Sequence, residues 1–459
     1  MIPKFSSDRL AQLTAATLAV AGIGRFILTA ARRLPNLLGW EADNIARAIA
    51  GGHGFSFRGD IRWLWMSANQ PLGDPTRYFP TAWVDPVFTY LLAGAYEIFP
   101  QQPYLAIVVF NFICLVVVFL AVYFLGTRFG GPWMGAVAVG LLALHGEFLR
   151  GTVEIYNTAI AACVLVLAAL AAVRYLERST PRRLTVLGLT LGFAILACPI
   201  AKYFGYGMAI ALIVHHWGEP RAAMLRPLAM VALAALVLAP WAIRNYVTFG
   251  EWVPVRNGSG QIAWVGTVGI ASTFMPQVAE STLAPPWRSS GPREAVRDLT
   301  RDRNKRIALS NYQVDAWVAT PPPGYEHMNE AQRDKLYLKR TKEFIRAHPL
   351  VAAELGIAKF GVYLMKFRIY GLALMALALL GAVLAIRDRR SWPLSLAALS
   401  YSAPFVLVIA YYDRYRIPIE PVLAVLATAA FAWLGGRLRS IQMRPKPQLE
   451  HAAEGAASH

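Results

Sequence analysis

The sequence predicts an all-α polytopic membrane protein: about ten spans, with two extracytoplasmic loops carrying juxtamembrane helices. Three observations predict it. Of 459 residues, 56% are hydrophobic and 16% charged, against roughly half and a quarter in soluble domains. Mean hydropathy is +0.42. Apolar runs near the roughly 20 residues needed to cross a bilayer recur along the chain.

The expected spans are 10–30, 104–125, 132–148, 157–175, 184–199, 202–217, 226–242, 368–385, 393–411 and 417–436. Lys4 and Arg9 precede the apolar run Leu10 to Gly24 in the manner of a signal peptide. Arg25 interrupts that run and acids follow soon after, so a retained first span is expected. Basic residues in short loops set the orientation. Arg174, Arg178, Arg182 and Arg183 form one group, and Arg221 and Arg226 a second. Arg387, Arg389 and Arg390 form a third, and Arg437, Arg439, Arg444 and Lys446 a fourth. All four share one side if both termini are cytoplasmic. Trp83 to Phe99 would flip the middle loops outward if it spanned. It is therefore expected as an amphipathic interfacial helix, with Trp83, Phe88, Tyr90, Tyr96 and Phe99 at the headgroups.

The chain then divides into a transmembrane catalytic module (1–242, with a first extracytoplasmic loop at 31–103), an extracytoplasmic cap (243–350), C-terminal transmembrane helices (351–436) and a disordered cytoplasmic tail (437–459). The cap contains Pro321-Pro322-Pro323-Gly324, charge runs around Arg293 to Arg306, and a helix expected over 326–347.

The net charge of +18 suits helix flanks facing anionic headgroups. No basic helix or aromatic platform stands apart from the spans, so nucleic acid is excluded as a partner. Cys114, Cys163 and Cys198 lie in apolar segments without metal-ligand spacing and read as small core residues. Neither a phosphate-binding GxxxxGK[ST] loop nor a strand-linked GxGxxG unit is present.

The chemistry concentrates in three places. Glu41 and Asp43, in GWEADNIARAIAGGHGFSF, put two carboxylates just beyond the first span. A partly buried carboxylate there can act as a general base. Residues two apart on a helix do not share a face, so one is read as catalytic and the other as structural or metal-linked. Helix capping and dipole complementarity are the alternative for both. Second, Lys202, Arg244, Arg414 and Arg416 sit at far-side helix ends, where positive residues are disfavoured. They read as a cradle for a phosphate, or otherwise as snorkelling side chains. Third, His53, Tyr78, Trp83 and Asn245 are candidate substrate contacts, in loops with scattered glycines, aromatics and acids. Glu147 and Glu154 occupy another far-side turn and read as solvated loop acids. No metal site is expected.

These segments resemble bacterial GT-C glycosyltransferases, the relatives of protein O-mannosyltransferases and of the lipid A aminoarabinose transferase. GWEADNIARAIAGGHGFSF together with PTAWVDPVFTYLLAGAYEIF (Pro80 to Phe99) is similar to the family's first loop. APWAIRNYVTFGEWVPVRNGSGQIAWVGT (Ala239 to Thr267) is similar to the start of its second, and RYRIPIEPVL (Arg414 to Leu423) to the approach to its last spans. The resemblance implies a GT-C-type bundle and a polyprenyl-phosphate-linked monosaccharide as donor, with no other cofactor. It implies a glycan, lipid or protein acceptor and a site facing the periplasm of a bacterial inner membrane. The family's first-loop base carries over to Glu41, with Asp43 as the competing assignment, because relatives show adjacent Asp-Glu where this chain has Glu-Ala-Asp. A basic residue linked to the donor phosphate carries over to Lys202. The expected activity is inverting glycosyl transfer. The alternatives are a non-catalytic polyprenyl-phosphate carrier or flippase, and an envelope-assembly partner.

Overall fold

The structure is a computed structural model. It describes residues 6–59, 76–264, 266–267, 324, 327–350, 352–353, 356–357, 360, 369–386, 388, 391–407 and 413–442. The expected features at 268–323, the third basic group (Arg387, Arg389 and Arg390) and the tail beyond 442 lie outside the described residues.

The described residues of the expected spans are largely helical, with 132–148 split into two helices by a bend after Ala143. In order, the elements are α1 (Ser7–Arg33), α2 (Glu41–Ala50), β1 (Ser56–Arg58), β2 (Tyr78–Pro80), α3 (Pro86–Ile98), α4 (Pro103–Gly130), α5 (Pro132–Ala143), α6 (Gly146–Val153), α7 (Thr158–Glu177), α8 (Pro181–Ala197), α9 (Ala201–His215), α10 (Pro220–Phe249), α11 (Ser259–Trp264), α12 (Glu330–Ala347), α13 (Ile369–Leu384), α14 (Trp392–Leu407) and α15 (Glu420–Gln442). Among the described residues, five helices are long and apolar enough to cross a bilayer, and six if α5 and α6 form one bent span. They are α1, α4, α7, α10 and the helix running from Ile417. The described parts of α8, α9, α13 and α14 have 15 to 17 residues, against the roughly 20 that span a bilayer.

The α7 helix is the centre of the bundle. Residues 158–166 are buried without interruption, the pattern of a helix apolar on every face and covered on every face. It packs on α4, α8 and α15. Small residues bring helices close where lipid offers no hydrophobic drive to association. A methyl group at Gly381 of α13 would collide with the Leu426 carbonyl of α15.

Between α5 and α6 the chain bends by 65°. Backbone groups freed at such a break must be satisfied inside protein. Arg25, the residue that interrupts the first apolar run, donates to the Ala143 carbonyl at 2.8 Å. Tyr370 donates to the Leu141 carbonyl. His145 caps α6, its Nδ1 accepting the Phe148 amide at 3.3 Å.

Several boundaries differ from the expectation. The α10 helix continues to Phe249, past the expected end at 242, and stops at Gly250 with φ +66°. Its extra turns hold Arg244 and Asn245. The α12 helix starts at Glu330 rather than 326, because Asn329 and Gln332 form a reciprocal capping box. The α3 helix has 13 residues, about 20 Å of length against about 30 Å of hydrocarbon. Phe88 and Trp83 are buried against the protein, so these two do not serve as headgroup aromatics. The first loop also forms a two-stranded antiparallel ribbon, absent from the all-α expectation, pairing Ser56 with Pro80 and Arg58 with Tyr78. The three cysteines are buried and free.

Candidate functional site

The two acids open α2 as its first and third residues, and their surroundings differ. Asp43 is buried. Its carboxylate accepts from Arg47 Nε at 3.0 Å and from the Tyr96 hydroxyl at 2.5 Å. Arg47 also lies over the Tyr96 ring. Burial, then the hydrogen bond and the charge of Asp43, push the Tyr96 phenol well up, so it stays a donor. Gly39 is required here, since a side chain would collide with Asp43 and Tyr104. Glu41 is half-buried and has no hydrogen bond or ion pair to any described residue.

The α2 helix packs on α3. Asp43, near the start of α2, meets Tyr96, near the end of α3, whereas β1 and β2 join the opposite ends, so the two helices run antiparallel. Asp85 precedes α3 at its N-cap position and accepts from Asn157 Nδ2 at 3.0 Å. Asn157 also donates to the Ala197 carbonyl at the end of α8. The acid pair and the α8–α9 turn thus flank the two ends of α3, about 16 Å apart along its axis. Arg33, at the end of α1, forms an ion pair with Glu154, and the Glu154 carbonyl accepts from Asn111. Glu154, read from sequence as a solvated acid, is therefore ion-paired.

Two of the four expected phosphate-binding cations, Arg244 and Arg416, are held by other groups of the protein. Lys202, at the start of α9, is half-buried and has no ion pair among the described residues. It lies close enough to Arg256 to interact electrostatically, with Asp334 as the opposing charge. Arg256 was missed in the sequence. Arg244 donates to the carbonyls of Thr81 at 2.7 Å and Phe55 at 2.9 Å, and to Asn245 Oδ1. Its guanidinium lies over the Trp241 and Phe55 rings. Arg416, 2% exposed, binds Glu420 at 2.7 Å and Glu147 at 2.8 Å. Arg414 belongs to the short helix Asp413–Arg416, and its side chain lies outside the described part.

The candidate substrate contacts also divide. His53 is exposed and stacks on half-buried Tyr78 with ring centroids 3.6 Å apart. Trp83 is buried against Gly258, where an added Cβ would lie 2.8 Å from the ring. Asn245 is fully buried and donates to the Val253 and Val255 carbonyls. Arg244 and Asn245 are thus loop ties, Arg244 to the first loop and Asn245 to the second. Replacing Arg244 by Met should loosen the first loop, because two buried carbonyls lose a charged donor at about 1.5–3 kcal/mol each. Limited proteolysis between 51 and 85 should speed up and the melting temperature fall. A variant with an unchanged proteolysis pattern and a weakened lipid-phosphate affinity would return Arg244 to the phosphate.

The second loop is tied at α12. Glu330, 7% exposed, accepts from Thr81 Oγ1 at 2.6 Å, the Ala82 amide at 3.1 Å and Asn257 Nδ2 at 2.9 Å. Asp334 accepts the Gly260 and Gln261 amides. Burial pushes both carboxyls up, and these donors pull them back. Among the described residues, no group of three or more His, Cys, Asp or Glu converges as a metal site.

Residues 80–243 match the family model described as dolichyl-phosphate-mannose-protein mannosyltransferase. That stretch runs from β2 through α10 and leaves out α2 with its two acids. Among solved structures, the apo oligosaccharyltransferase of Archaeoglobus fulgidus has a TM-score of 0.52 at 16% identity, over 94% of this chain and 51% of that one. Its complex with Zn and sulfate gives 0.52 and 16%, over 93% and 50%. ArnT from Cupriavidus metallidurans bound to undecaprenyl phosphate gives 0.36 and 13%, over 96% and 82%. The chain spans about half the length of the archaeal structures it matches. No curated protein matches the sequence.

Proposed function

We propose, from the premise that this multi-pass membrane protein is a GT-C-type glycosyltransferase in family and fold, that it moves a monosaccharide from a polyprenyl-phosphate donor to an extracytoplasmic acceptor with inversion. The observation that carries the reading is the contrast within the acid pair. Asp43 is held by Arg47 and Tyr96, while Glu41 has no partner among the described residues. A general base needs a carboxylate free to take a proton.

Glu41 removes the proton from the acceptor hydroxyl. That oxygen attacks the anomeric carbon and forms the new glycosidic bond. The bond from that carbon to the phosphate oxygen breaks, and the polyprenyl phosphate leaves with the electron pair. Lys202, with Arg256 close by, stabilises the charge that develops on the phosphate. Base, acceptor oxygen, anomeric carbon, phosphate and cation in line occupy on the order of 12 Å. The length of α3 between its two ends is comparable. His53 and Tyr78 supply a ring surface for the sugar or acceptor. Arg414 remains a candidate second ligand of the phosphate. The site faces the periplasm in this reading, where nucleotide sugars are absent and a lipid-linked donor is needed.

The test is the intact protein in proteoliposomes carrying a radiolabelled sugar on undecaprenyl phosphate, mixed with envelope extract. The label should leave the lipid for a new product as free undecaprenyl phosphate accumulates. Label that crosses the bilayer while still attached to lipid would identify a carrier and reject the transferase.

A further inference from the structure

The first turn of α12 holds a buried carboxylate that helix formation does not need. Asn329 already caps the helix, accepting the Gln332 amide at 3.0 Å while Gln332 returns a bond to Asn329 N. A charge at the next residue gains little for the helix and is costly to bury unless hydrogen-bonded. Glu330 is hydrogen-bonded three times, always across loops: to Thr81 and Ala82 of the first, and to Asn257 of the second.

The tie is reinforced on both sides. The Asn257 amide donates to the Ala82 carbonyl at 2.8 Å, so the two loops run side by side there. The Trp83 amide donates to Thr81 Oγ1 at 3.0 Å, which orients that hydroxyl toward Glu330. One turn along α12, Asp334 accepts two amides of the second loop. Asn329 Nδ2 donates to the Phe249 carbonyl at the end of α10. Arg256 precedes Asn257 directly, and Asp85 lies three residues beyond Ala82.

We propose that Glu330 is a positioning residue for the transfer reaction: by holding Ala82 and Asn257 on one carboxylate, it fixes Arg256 and Trp83 relative to the α8–α9 turn that bears Lys202. The substrate in this statement rests on the reading above. The tie itself does not, and the two can fail separately.

The variants are Glu330→Ala, Glu330→Gln and Thr81→Val in the full chain, held in nanodiscs. Glutamine can keep its Oε1 on Ala82 and Asn257 and turn its amide to Thr81 Oγ1, so it should rescue. Three quantities are read: hydrogen exchange at residues 81–85 and 253–264, affinity for undecaprenyl phosphate, and the KM and kcat of transfer. Glu330→Ala should speed exchange in both segments, weaken undecaprenyl phosphate about tenfold and raise KM for the donor more than it lowers kcat. Glu330→Gln should stay within about threefold of the unaltered protein. If Glu330→Ala does not fold, Thr81→Val removes one donor and reads the same quantities with a smaller shift. Unchanged exchange in both segments would overturn the tie. Faster exchange with unchanged affinity and KM would make Glu330 structural only and overturn its positioning role. Failure of the unaltered protein to bind undecaprenyl phosphate would overturn the donor reading and the positioning role with it, and the exchange result would still report whether the tie exists.

Discussion

Replacing Glu41 by glutamine should lower transfer by roughly 10²–10⁴, the range general-base help supplies, while melting temperature and affinity for undecaprenyl phosphate stay nearly unchanged. The amide keeps the size of the carboxyl and cannot take the proton. The cost in folding should be small, about 0.3–1 kcal/mol for the charge at the start of α2, because Glu41 has no hydrogen-bond or ion-pair partner among the described residues to lose. Asp43→Asn should behave in the opposite way. Asparagine offers one acceptor oxygen where Arg47 and Tyr96 each use one. One buried donor is then left unmade, at about 1–3 kcal/mol. The expected signature is a lower melting temperature with only a modest loss of kcat. A stable Asp43→Asn protein that has lost turnover, beside an active Glu41→Gln protein, would exchange the two roles.

Replacing Arg416 by methionine should destabilise the protein by about 3–5 kcal/mol, the usual cost of removing one partner of a buried ion pair. Arg416 sits between Glu420, fully buried, and Glu147. The second oxygen of Glu420 faces His145 Nε2 at 3.4 Å and has no other partner among the described residues. Without the guanidinium, Glu420 would be an uncompensated charge inside the bundle. Adding Glu420→Gln to Arg416→Met should recover much of the loss, because the orphaned charge is gone. Thermal unfolding in detergent of the single and double variants measures both effects. If Arg416 were instead the phosphate ligand, the single variant would fold normally and lose only lipid-phosphate affinity.

These outcomes show where the residue string was and was not informative. Two of the ionic groups carried a signal four residues away. Arg47 follows Asp43 by four and Glu420 follows Arg416 by four, the spacing at which side chains meet on a helix. Read that way, Asp43 becomes the structural acid and Arg416 a paired cation. Arg244 had no such signal. The carbonyls it holds lie 163 and 189 residues earlier in the chain. Glu147 reaches Arg416 across 269 residues, and Glu330 reaches Thr81 across 249. The start of α12 was legible in Asn329-Glu330-Ala331-Gln332, a capping box, though the role of Glu330 within it was not.

What the amino-acid string settled alone is the membrane architecture: helices wherever apolar residues run together, broken by turns rich in glycine, proline and charge. Transfer of a segment into lipid is close to a sum over its own residues, so one dimension suffices to read it. Which charges are spent and which remain free was decided only by the folded chain. A carboxylate or guanidinium is neutralised by whatever lies within about 3 Å of it, and in this bundle that neighbour is often more than a hundred residues away.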